Sequence, residues 1–261
     1  MWIYDREVGS WRTAYVAGER VTRFEVLKAS WLDADVADLQ GLTHPGLLRI
    51  RSRRGPVLDL DGFEGTTLRR VWPHLDLLPG EQEAVAAHLV GRLAEAAGEL
   101  VERGLGLHLM SGTVVVTTTG DVRLVPPFHH YLAGAVPSFA QHPMAYELGF
   151  CPLDEDVTAA STIFHLGTVL HGLATQGPPW RAMMPMYRQR RDPSPIGDWL
   201  DPSAWLARAR AHEGSLACIV RRCLAPTPSE RFESVAALAE ALSAWNTQLP
   251  RERLAAAVVP D

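Results

Sequence analysis

Hydrophobic positions change their spacing once along this chain. Up to residue 64 they come in short runs suited to extended backbone. Trp11 to Val16 and Arg20 to Leu27 read as strands turning at Gly18-Glu19. Leu47 to Arg51 and Pro56 to Leu60 read as a second strand pair, turning at Arg53-Arg54-Gly55. Between the pairs, Val36, Leu39 and Leu42 predict a short helix over Asp33 to Leu42, stopped by His44-Pro45.

After Gly65 the spacing becomes helical. Val85, Leu89, Leu93, Ala96, Ala97 and Leu100 share one face of a helix predicted over Glu81 to Arg103. Thr113 to Thr117 and Asp121 to Leu124 flank Thr118-Thr119-Gly120 as a small hairpin. Further helices are predicted over Ile163 to Ala174, Ser203 to Ala211, Leu216 to Leu224 and Val235 to Trp245. Pro126 to Tyr146 reads as a loop, and Gln248 to Asp261 as a tail. The organisation is therefore 1–64 as a strand-rich unit, 65–247 as a helical unit and 248–261 as a C-terminal tail.

Composition narrows the function classes. With 261 residues, 47% of them hydrophobic, the chain has ample apolar surface to offset backbone entropy. The formal net charge of -5 argues against nucleic acid, whose binders carry an excess of positive charge. The start has no basic head followed by an apolar run, and no window approaches the ~18 apolar residues a membrane helix needs. Cys151, Cys218 and Cys223 form no CxxC pair, and His129, His130 and His142 lack nearby ligands at metal-binding spacing, so buried thiols in a reducing cytosol and no metal are expected. One detail is unusual: of 25 basic residues, 24 are arginine and only Lys28 is lysine.

The ordered phrases of the chain resemble a protein kinase of the bacterial (Hanks-type) Ser/Thr family. Leu42 to Leu48 is similar to the family's L-x-H-P-N-I-V segment after helix C. Leu58 to Leu68, with Asp61 and Phe63, resembles the hinge phrase L-V-M-E-Y-V-E-G-G-T-L. Phe164 to Leu170 and Gly177 to Trp180 look like Y-S-L-G-V-V-L followed by T-G-x-P-F, and Ala145-Tyr146-Glu147 stands where A-P-E would. Leu224 to Phe232 resembles the closing signature, with Thr227 in place of its aspartate. The resemblance covers roughly residues 9 to 245. It implies an α+β, bilobal kinase-like fold, a small β-rich N-lobe and a larger helical C-lobe, in which Glu147 and Arg231 form a buried ion pair.

The same alignment finds the chemical positions changed. Phosphoryl transfer in this family uses a catalytic-loop aspartate as base, and an asparagine and the D-F-G aspartate as magnesium ligands. Here the base position falls on His108, the asparagine on Thr113, and the D-F-G triplet on Pro126-Pro127-Phe128. Gly9 to Val16 lies along the glycine-rich loop G-x-G-x-x-G-x-V, with Gly9 and Val16 matching and Trp11 and Ala14 in place of the other glycines; the Trp11 indole would crowd or fill the phosphate space. Lys28 stands at the lysine of V-A-I-K, and Asp35 where helix C carries its glutamate. Gly9, Lys28, Asp35, Asp61 and Phe63 are the implied remnants of a nucleotide pocket.

The expectation is a pseudokinase without catalytic residues, magnesium or obligate cofactor, acting in the cytoplasm as a protein-binding regulatory or scaffolding module. Its partner would be another protein, not nucleic acid or a membrane. The adaptable methionines and the arginines between Arg181 and Trp199 are one candidate surface. The alternative is a sensor or atypical transferase that keeps metal-independent ATP binding through Lys28 and the hinge.

Overall fold

Two hairpins build the first sheet. In the computed structural model, which describes residues 9–26, 39, 41–78, 80–103, 114–125, 158–175, 215–225, 227–245 and 248–258, strands β1 (Gly9–Val16), β2 (Glu19–Val26), β3 (Ile50–Arg54) and β4 (Val57–Asp61) lie in the order β1-β2-β4-β3. All neighbours are antiparallel. The first turn is Ala17-Gly18, one residue earlier than the sequence predicts. Both residues have positive φ, 52° and 84°, the twist that a tight two-residue hairpin needs. Alternation then sorts the faces. Phe24, Leu58 and Leu60 are fully buried on one side, and Asp59 sits on the other among Arg23, Ser52 and Arg54.

Leu47 and Leu48 do not extend β3, as the sequence suggests. The Leu48 amide donates to the Leu124 carbonyl (2.7 Å), and the Leu124 amide donates to the Gly46 carbonyl (2.8 Å). These bonds fasten the first sheet's connecting segment onto a second sheet. Gly46 packs there against the helix over Glu81–Glu102, where an added Cβ would lie 3.1 Å from Ala96 Cβ.

The second sheet has the order β5-β6-β7, formed by β5 (Gly65–Thr67), β6 (Val114–Thr117) and β7 (Val122–Leu124). The hairpin β6–β7 is the one predicted; β5 adds a strand that the sequence does not advertise. A side chain at Gly65 would meet the Val116 carbonyl at 2.1 Å, so only glycine lets β5 approach β6 this closely.

Helices follow: α1 (Leu68–Val71), α2 (Glu81–Glu102), α3 (Ala159–Thr175), α4 (Leu216–Cys223), α5 (Val235–Leu242) and α6 (Gln248–Ala256). Helix α2 packs against α3, α5 and α6, and α3 against α4. The predicted face of α2 is buried to the last residue, and Ala86, Ala87 and Val90 are buried too, because neighbours cover it on more than one side. Ser234 starts α5 by accepting the Ala237 amide (3.0 Å). Of the helix expected over 33–42, only Leu39 is described as helical; the expected helix over 203–211 lies outside the described residues.

One boundary needs correction. Residues 248–261 are not simply a tail, because Gln248–Ala256 forms a docked helix with Leu254 fully buried. No helix among the described residues is long and apolar enough to cross a membrane.

Candidate functional site

The segment from Gly62 to Glu64 carries the chain from the first sheet to the second, and an aromatic cluster forms beside it. Trp11 projects from β1 and Phe24 from the opposite position on β2. Their rings stack with centroids 4.2 Å apart and planes tilted by 31°. Phe63 meets the indole edge-on, 6.0 Å away at 79°. Trp11 and Phe63 are half-buried against the core, and Phe24 is fully buried. The indole therefore covers the side of the sheet that faces the linking segment.

That segment is held closely. Glu64 receives Arg20 NH1 at 2.6 Å, and its carbonyl accepts the Thr118 amide at 2.8 Å. A Cβ on Gly62 would lie 2.6 Å from the Arg20 carbonyl. The backbone here is pressed against β2 on one side and the β6–β7 turn on the other.

The other face of the first sheet is stitched by charge. Asp59, only 2% exposed, accepts Arg23 Nε at 2.6 Å, Ser52 Oγ at 3.0 Å and Arg54 NH2 at 3.3 Å. The Arg23 bond, with help from Ser52 and Arg54, outweighs the burial that opposes it and holds the carboxyl down at about 2. Asp61 accepts Arg51 Nε at 2.7 Å, and Arg51 also bonds Glu19.

The predicted site residues are distributed unevenly. Phe63 joins the aromatic cluster, while Asp61 is engaged with Arg51. Gly9 opens β1 opposite Val26, and Gly9–Val16 pairs residue for residue with β2. That stretch is an unbroken strand, as read for Trp11 to Val16, and the tight turn follows it at Ala17-Gly18. Lys28, Asp35, His108, Thr113, Pro126 and Glu147 lie outside the described residues.

Arg231 is described, and it is 2% exposed. Its Nε donates to the Ala225 carbonyl (2.8 Å) and its NH1 to the Ala160 carbonyl (3.0 Å). Its guanidinium also lies 5.0 Å from the Phe164 ring centre. The side chain ties the segment after α4 to the start of α3. Nearby, Gly167 allows α3 and α4 to touch, since a Cβ there would lie 2.3 Å from Cys223 Cβ. Burial pushes the Cys223 thiol up, so it remains a neutral packing group.

Solved structures place this architecture. The kinase domain of PknI from Mycobacterium tuberculosis superposes with a TM-score of 0.57 over 91% of this chain and 90% of its own, at 20% identity. A second structure of that domain gives 0.56 over 92% of each chain at 20% identity. A singly substituted form gives 0.54 at 19% identity, over 92% of this chain and 91% of its own. The chain has a protein-kinase-like fold. No family profile matches the sequence, and no curated protein matches it.

The Trp11–Phe24–Phe63 cluster lies beside the linking segment Gly62–Glu64. The sequence pointed to Trp11 and Phe63 separately, but not to Phe24. Its signal was alternation: Phe24 is two residues from Thr22 and Val26 on its strand, and an in-register hairpin turns it onto Trp11.

Proposed function

We propose that this protein is a pseudokinase: a kinase-like scaffold that binds a protein partner and transfers no phosphate. The observation carrying this reading is the aromatic cluster beside the linking segment. An indole stacked on Phe24 and closed by Phe63 supplies apolar surface where a purine would need room, and offers no charge to its phosphates.

Sequence supports the same direction. By the sequence resemblance, His108, Thr113 and Pro126 fall at the positions of the base and the two metal-binding residues. Loss of the base alone costs ~10²–10⁴ in rate. Loss of the metal ligands removes several kcal/mol more of transition-state charge stabilisation, about another factor of 10² or greater. With chemistry removed, binding remains, and by its composition the arginine- and methionine-bearing stretch from Arg181 to Trp199 is the partner-binding candidate this reading favours.

The test is a phosphotransfer assay with labelled ATP, magnesium and manganese, using the protein itself and generic basic substrates as acceptors. No incorporation above the protein-free rate is expected. Incorporation that His108→Ala abolishes would overturn the reading. Binding of ATP without magnesium, lost in Lys28→Ala, would replace it with the metal-independent nucleotide sensor.

A further inference from the structure

The β6–β7 turn is gripped from two sides. On one side the Thr118 amide donates to the Glu64 carbonyl (2.8 Å), and Glu64 in turn holds Arg20 of β2. On the other side α6 arrives. Arg251 donates from Nε to the Thr119 carbonyl (3.0 Å) and pairs through NH2 with Asp121 Oδ1 (2.8 Å). Between them, Gly120 has φ +78°, and a Cβ there would lie 2.1 Å from the Arg251 carbonyl.

We propose that α6 is a strap whose docking sets the rigidity of the linking segment Gly62–Glu64, acting through this turn. The turn is built to transmit. Thr117 Oγ1 and Thr119 Oγ1 are 2.8 Å apart, Thr119 Oγ1 donates to Asp121 Oδ2 (2.9 Å), and the Asp121 amide donates to Thr117 Oγ1 (3.0 Å). This chain of hydroxyls aims Asp121 at Arg251. It also fixes the residue adjacent to Thr118, so loss of Arg251 loosens the bond to Glu64.

Two residues on, the strap is fastened a second time, to the start of α2. Arg253 NH2 lies 2.7 Å from Glu81 Oε1, while Glu81 Oε2 accepts the Leu78 amide (2.9 Å) at the start of α2. Leu254 is the strap's fully buried leucine, with Ala257 and Val258 behind it. An anchor of Leu254 with the smaller Pro250, Ala257 and Val258, and of two part-exposed ion pairs, is slight beside the α2–α3–α5 core, so α6 can open locally while that core stays closed. Screening by salt acts on just those pairs. Two sites that bias one element are coupled, and the coupling is reciprocal. This proposal concerns the linking segment alone and does not depend on the absence of catalysis.

The test is amide hydrogen exchange on the full chain, followed residue by residue. In Arg251→Ala, the Thr118 amide is expected to exchange about fivefold to tenfold faster while α5 amides keep their rates. Gly120→Ala, which drives α6 away by a clash, should do the same. Reciprocity supplies the control: Arg20→Ala, on the opposite side of the linking segment, should speed exchange within α6. Faster exchange in α6 of Arg251→Ala with Thr118 unchanged would overturn the proposal. So would an Arg20→Ala variant in which α6 keeps its rates, and that arm survives even if Gly120→Ala fails to fold.

Discussion

Two places in this molecule correspond to positions the kinase resemblance singles out, and they have been treated in opposite ways. Around Arg231 a buried charge is answered by the Ala225 and Ala160 carbonyls and by the Phe164 ring. Around Trp11 the described cluster is aromatic, and the carboxylates at either end of the linking segment are engaged elsewhere: Asp61 with Arg51, Glu64 with Arg20. The first arrangement supports the fold, since a guanidinium cannot stay buried without acceptors. The second fills space. The contrast teaches that a fold can keep its internal polar wiring while the side of the sheet next to its linking segment turns apolar.

If the wiring at the base is structural, breaking it has the largest cost. Arg231→Ala strands two carbonyls and removes the ring contact, and is expected to lower unfolding free energy by about 3–5 kcal/mol in urea titrations. A loss below ~1 kcal/mol would make Arg231 a spectator. Next comes the close approach of α3 and α4. Gly167→Ala drives a Cβ to within 2.3 Å of Cys223 Cβ and should cost ~2–3 kcal/mol, part of which Cys223→Gly restores in the double variant.

The small-lobe sheet is expected to be softer, and acid finds it first. Asp59 is held at about 2, chiefly by Arg23, against an unfolded value near ~3.9. The native state thus binds fewer protons, and the stabilisation is complete above about pH 4 and fades as pH falls towards 2. Its size is ~2 kcal/mol, read as the part of the wild-type acid loss that Asp59→Asn lacks; equal acid slopes in both proteins would remove Asp59 from the account. The smallest effect is a gain. Ala17 sits at φ 52°, where a Cβ is strained and asparagine is better tolerated. Ala17→Asn should raise stability by ~0.5–1 kcal/mol, and a loss instead would show that the turn is not of the type its dihedrals indicate.

Strong periodicity made the helical part legible. The face of α2 from Val85 to Leu100 could be read because a 3.6-residue repeat survives wherever one side of a helix packs. The β6–β7 hairpin could be read because valines bracket an evident turn. The first hairpin was nearly read, and its error is instructive. A turn at Gly18-Glu19 would set Trp11 opposite Val26. The actual turn at Ala17-Gly18 sets it opposite Phe24, and only then does the aromatic stack exist. An alanine with positive φ is the reason, since glycine drew the expected turn one residue forward. Helix α6 was missed because charged side chains, Arg251 and Arg253, make much of its docked face, while Leu254 is the one large apolar residue it buries completely. Phe63 meets Trp11 across 51 intervening positions, a proximity that no local pattern encodes.

The proposed function turns on whether nucleotide has a place beside the linking segment. Thermal unfolding with about 5 mM ATP, with and without magnesium, tests this most directly, because a ligand at ~100 times its dissociation constant adds ~2.7 kcal/mol of stability. For a chain of this size that is a rise in midpoint of about 5 °C or more. The account predicts an unchanged midpoint for the wild-type protein in both conditions, with Trp11→Ala the variant in which a shift would first emerge. A magnesium-dependent rise of that size in the wild type would contradict it.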